Sequence, residues 1–207
     1  MKRISIVKTT KIEKIYHQEV NMSKNKALIA ILLLFLATLA CQGVLPQETE
    51  ASSPSDVYLG LRDIWFTTSP EESGFSVEPN SNTPYAVVMD IGFGEGTATI
   101  VSSIEGDGSM YTSSGGGILG GIDHEKVRTA SINFVRIAEN FVDKMEPVTE
   151  YPLPGAENVK FYLITPSGIF TTEEINADIL ASGDHELSPL FLTGNDVITE
   201  LREISGE

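Results

Sequence analysis

Apolar residues in this chain fall into blocks of different period, and the periods name the elements. Residues 27–40 are uncharged and mostly apolar throughout. Further on, Asp56 can cap a short helix over residues 57–67, with Val57, Leu61, Ile64 and Trp65 near one face. Residues 85–91 and 97–104 are β-rich runs joined through Gly92, Gly94 and Gly96. Gly106-Asp107-Gly108 is a hairpin signal that leads to a third strand over 109–114. After a glycine-rich stretch, Asp123 can cap a helix whose Val127, Ala130, Ile132, Phe134, Ile137, Ala138, Phe141 and Met145 form a wide apolar stripe that Pro147 stops. Residues 159–165 and 169–172 form a second strand pair around the 166–168 turn. Ser188-Pro189 opens a last helix to Ile204, with Leu190, Val197, Leu201 and Ile204 inward. The order α-βββ-α-ββ-α predicts one two-layer α+β domain over residues 56–207. An antiparallel sheet of about five strands would carry helices packed on one face.

The 27–40 run has a different destiny. Lys24 and Lys26 precede it, and as a helix it would rise about 21 Å, short of the roughly 30 Å hydrocarbon core. A basic start, a short apolar middle and small residues at the end predict a signal peptide over residues 22–40. Thr38-Leu39-Ala40-Cys41 resembles the lipobox of bacterial prolipoproteins, with Thr38 where that family prefers leucine. The resemblance implies cleavage before Cys41, acyl chains on Cys41, and a protein anchored through them to the cell membrane or outer membrane on its extracytoplasmic face. Two or more acyl chains give stable anchoring. Gln42 is not the aspartate that favours inner-membrane retention in such proteins, so sorting to an outer membrane is permitted. Residues 1–21 do not fit a signal peptide and are expected to be a gene-model extension ahead of a true start at Met22. Residues 41–55, rich in Ser, Pro, Gln and Glu, read as a flexible tether carrying the lipid.

Charge narrows the partners. Residues 1–26 hold seven Lys or Arg against two Glu, net +5, whereas residues 41–207 hold seven against 27 Asp or Glu, net −20. A body this acidic repels phosphate backbones, so no nucleic-acid partner is expected. The one cysteine rules out an internal disulfide and any Cys-x-x-Cys metal pair.

The motifs that could carry chemistry are thin. Gly115-x-Gly117-x-x-Gly120 has dinucleotide-fingerprint spacing, but its strand closes a hairpin meander, and Glu139 sits inside a helix rather than ending a second strand. A tight turn is the expected role, and no cofactor is predicted. Asp123-His124-Glu125 and Asp184-His185-Glu186 repeat a triplet; His124, Glu125, His185 and Glu186 could ligate a metal only if the fold joined them. Asp90, Glu95, Glu105 and Asp107 lie near hairpin ends without the spacing of a calcium loop. No Gly-x-Ser-x-Gly elbow nominates a serine nucleophile. Residues 113–121, Tyr151-Pro-Leu-Pro154, and residues 187–191 with 197–202 resemble an uncharacterised bacterial family of small acidic proteins. That resemblance implies no activity and no site residues. The expectation is a non-enzymatic, membrane-anchored binding module with an envelope protein as partner. The alternative is an envelope hydrolase or metal-binding protein using His124 or His185 and nearby acids.

Overall fold

The structure, a computed structural model, describes residues 53–206. The expected extension, the signal peptide, Cys41 and nearly all of the tether lie outside the described residues. Helix α1 (Pro54–Thr67) starts three residues earlier than the pattern predicts. Ser53, not Asp56, is its cap: Ser53 Oγ accepts from the Asp56 amide, and the Asp56 carboxylate accepts from the Ser53 amide. This reciprocal box satisfies two helix-end donors at once. Asp56 therefore serves as the box's acid three positions into the helix.

A four-strand meander follows: β1 (Ala86–Phe93), β2 (Gly96–Ser103), β3 (Gly108–Thr112) and β4 (Gly117–Ile118). A 3₁₀ turn (Gly121–Asp123) leads into α2 (Glu125–Ala138), which His124 rather than Asp123 caps, and a 3₁₀ helix (Glu139–Lys144) extends it. Then come β5 (Glu146–Val148), β6 (Asn158–Thr165), β7 (Gly168–Thr171), β8 (Ile175–Asn176), the short α3 (Ala177–Ala181) and α4 (Ser188–Ser205). Ser188 is the first residue of α4 and Leu187 its cap, one position before the predicted start.

The fold is α+β, as the pattern predicts. All strand pairings are antiparallel, in the order β4-β3-β2-β1-β6-β7-β5, with β8 added on β6. Eight strands stand where about five were expected. The additional ones, β4, β5 and β8, are two or three residues long, too short to show a period. Pro147 belongs to β5, because the helical stretch already ends at Lys144. A proline lacks the amide that a ladder needs, and it stands here on an outer strand, where it also discourages pairing with another chain.

Both faces of the sheet are covered, which departs from the two-layer expectation. Val87 and Met89 point to one face, with Ile100, Phe161 and Leu163, under α2 and α4. Ala86 and Val88 point to the other, with Val101, Tyr162 and Ile164, under α1 and the segments around Phe75 and Tyr151. Met89 stands between Ile100 and Phe161 across the ladder, at the centre of the helix-covered face. There α4 comes close because Gly194 has no side chain; a Cβ would sit 2.6 Å from Met89 Cε.

The second face is rich in tyrosine. Tyr58, Tyr85, Tyr111 and Tyr162 are buried there, and Tyr151 stacks on Phe66 at 4.3 Å. Burial raises all five phenols, Tyr58 and Tyr162 to about 12 from 10.0. The unfolded chain loses these protons near pH 10 while the fold retains them, so stability falls as pH rises from about 10 toward 12. Urea midpoints are expected to be flat up to pH 9 and to drop steeply above 10, with phenolate absorbance appearing only as structure is lost. Phenolate titrating near pH 10 in a chain that keeps its native near-ultraviolet dichroism would contradict this packing.

Candidate functional site

The one strongly buried charged pair among the described residues fixes α1 to the sheet. The sequence pattern places Val57 and Ile64 on the inward side of α1, yet both are about half exposed. The helix is rolled so that Tyr58 and Arg62 face the sheet instead, both almost wholly buried. Arg62 Nε and Nη2 donate to Asp90 Oδ2 at 3.0 and 2.7 Å. Thr99 Oγ1 donates to Asp90 Oδ1 at 2.5 Å. With its hydrogen so used, Thr99 accepts from the Tyr58 hydroxyl at 2.8 Å. The guanidinium also lies over the Phe66 ring at 4.7 Å and the Tyr162 ring at 5.4 Å. Burial pushes the Asp90 carboxyl up from its ordinary value, and Arg62 and Thr99 draw it back. Three donors on one carboxylate favour its charged form against that burial.

In front of this network is a groove of about 400 Å³ between the first turns of α1 and the β3–β4 hairpin. Tyr58 and Tyr111 form its floor, Val57 and Leu61 one wall, and Leu119 with the Gly115–Gly117 backbone the other. None of the lining residues carries a charge. Tyr111 donates its hydroxyl to the Leu61 carbonyl at 3.3 Å and Tyr58 bonds Thr99, so both phenol hydroxyls of the floor are already engaged. Leu119 is 58% exposed and Val57 50%, making this a site with open apolar walls. Volumes of this order suit small ligands or a few side chains.

The glycine motif is structural in origin. Gly115 and Gly116 take φ of +96° and +88°, which a side chain rarely adopts, and they turn β3 into β4. A Cβ on Gly117 would meet the Met110 carbonyl at 2.5 Å, and Gly120 precedes the 3₁₀ turn. The motif therefore closes a hairpin and lines a groove; it does not open a helix toward a phosphate.

The two Asp-His-Glu triplets do not combine. Among the described residues no three of His, Cys, Asp or Glu converge as a metal site. His124 caps α2 through its carbonyl, which accepts from the Arg128 amide, and Glu125 begins the first turn. His185 Nδ1 accepts from the Leu187 amide and so helps to start α4, beside a fully buried Ser188. Glu186 pairs with Lys144 at 2.8 Å, which holds its carboxyl below the usual range. The acids near the hairpin ends do not gather either among the described residues. Asp90 is inside the sheet with Arg62, whereas Glu95 and Glu105 flank opposite ends of the eight-residue β2, some 25 Å in length at about 3.3 Å per residue. Sequence reasoning missed Arg62 as a buried residue. The available signal was an arginine on the apolar side of a helix and an aspartate inside an apolar strand, each of which needs a partner.

Comparison with known protein families, characterised proteins and solved structures finds no match to this chain. Among the described residues no helix is long and apolar enough to cross a membrane.

Removing one member of the ion pair leaves the other charged and buried. Arg62→Met and Asp90→Leu alone are each expected to cost about 3–5 kcal/mol, while the two together cost less than either single change. Denaturant unfolding of the four chains measures the coupling. A double variant that loses the sum of the single losses would show that the pair is not a unit.

Proposed function

We propose that this chain is a lipid-anchored extracytoplasmic binding module and that the groove between α1 and the β3–β4 hairpin is its binding surface. One observation carries the binding reading: a 400 Å³ groove lined wholly by uncharged residues, in a body whose residues 53–206 hold 24 Asp or Glu against seven Lys or Arg. An apolar concavity left open on so charged a surface marks a site of contact. The anchoring reading rests on the lipobox-like Thr38-Leu39-Ala40-Cys41 and the short basic-then-apolar stretch before it. The two readings fit one arrangement, since only residues 42–52 separate the lipidated cysteine from the start of the described body. The histidine-based hydrolase or metal reading lacks a gathered set of side chains, because no three of His, Cys, Asp or Glu converge among the described residues.

Intact-mass analysis of the membrane fraction tests the anchor. The expected species starts at Cys41 and carries two or three acyl chains, and Cys41→Ser abolishes it; an unmodified chain that keeps residues 22–40 refutes lipidation. The groove has its own test. An uncharged apolar fluorescent dye such as Nile red is expected to bind the lipid-free Cys41→Ser chain, and Leu119→Asp, at an exposed position the fold does not need, is expected to remove most of the signal. Dye fluorescence that ignores Leu119→Asp would place the contact surface elsewhere.

A further inference from the structure

We infer that the groove takes an extended polypeptide segment of a partner protein, apolar at alternate positions and basic between them, laid along the free edge of β4. This rests on the groove being the binding surface and adds what occupies it. Three features of the same place support it. First, β4 ends the sheet, so its outer edge pairs with no strand among the described residues. The opposite end carries Pro147, which blocks growth there; the β4 end carries glycines and no such block. A bare sheet edge is a template for another strand. Second, the turn that enters that strand is uncovered at Gly116. No atom lies within 4 Å of where a Gly116 Cβ would be, so an incoming backbone can approach closely.

Third, the walls select side chains and the surroundings select charge. A strand on β4 would turn every second side chain toward Val57, Leu61 and Leu119, where only apolar groups are matched. Its other side chains would face a body with 24 acids against seven bases. Of those bases, Arg62 is buried on Asp90, and Lys126 and Lys144 already pair with glutamates. None of the seven lines the groove. Asp56 and Asp63 stand exposed on α1 beside its apolar wall residues, and the first turn of that helix has no base to offset Asp56. Lysine or arginine between the apolar positions is therefore favoured, and an acidic segment is repelled.

The experiment uses the full chain in phosphatidylcholine nanodiscs and two labelled nine-residue peptides, one alternating valine with lysine and one alternating valine with glutamate. Fluorescence anisotropy is expected to show the lysine peptide binding at least about tenfold tighter, with the uncharged changes Leu119→Asn and Val57→Asn each weakening its binding by about tenfold or more. Hydrogen exchange at Ile118 and Leu119 is expected to slow when it binds, as an added strand requires. Equal binding of both peptides, or slowed exchange elsewhere, overturns the inference. So does binding that emerges only after Val44→Asp and Leu45→Asp, because the chain's own segment would then be the occupant. If neither peptide binds while the dye still responds to Leu119→Asp, the partner is wrong and the groove stands; if the dye also fails, the groove reading falls with it.

Discussion

The ion pair between Arg62 and Asp90 is the constraint on which the second face of this protein depends. An aspartate in the central strand of a sheet covered on both sides is strongly unfavourable unless its charge is met. Arg62 meets it from the helix, Thr99 from the neighbouring strand, and Tyr58 completes the chain of donors. Because both oxygens of Asp90 are engaged, α1 has one angular setting about its own axis. Apolar contacts alone would tolerate several.

That setting accounts for the groove. With Arg62 and Tyr58 drawn inward, Val57 is turned outward beside Leu61, opposite the glycine hairpin. The Tyr58 ring then serves twice, its hydroxyl in the buried network and its face in the groove floor. The groove and a buried charge pair are thereby linked through a single side chain. Whatever occupies the groove rests on a floor that the pair holds rigid.

The class of the fold and most of its long elements are legible in the sequence. The β1–β3 meander, the β6–β7 pair and the helices α2 and α4 follow from period, hairpin glycines and the Ser188-Pro189 start. What could not be read has particular causes. The run Ala86-Val-Val-Met89 is apolar at every position, which signals burial on both faces, yet as one short run it is equally consistent with a single covered face. The roll of α1 is decided by Arg62 and Asp90, 28 residues apart, and no local period reports a pair at that separation. The groove escapes notice for a similar reason: its walls come from residues near 57 and near 117, each ordinary alone. The triplets containing His124 and His185 show the converse, a repeated pattern whose members do not converge among the described residues.

Every polar contact between α1 and the sheet among the described residues runs through at least one side chain, with no backbone ladder joining them. This matters mechanically, because α1 is the first described element after the chain ahead of Ser53. Tension applied to that leading chain reaches the capping box and then this helix before it reaches any strand. Side-chain attachments strung along a helix yield one after another, whereas a strand ladder loaded along its length resists as a set. The body thus has a built-in weak seam at its leading end, and the eight-stranded sheet behind it is shielded from a pull applied there.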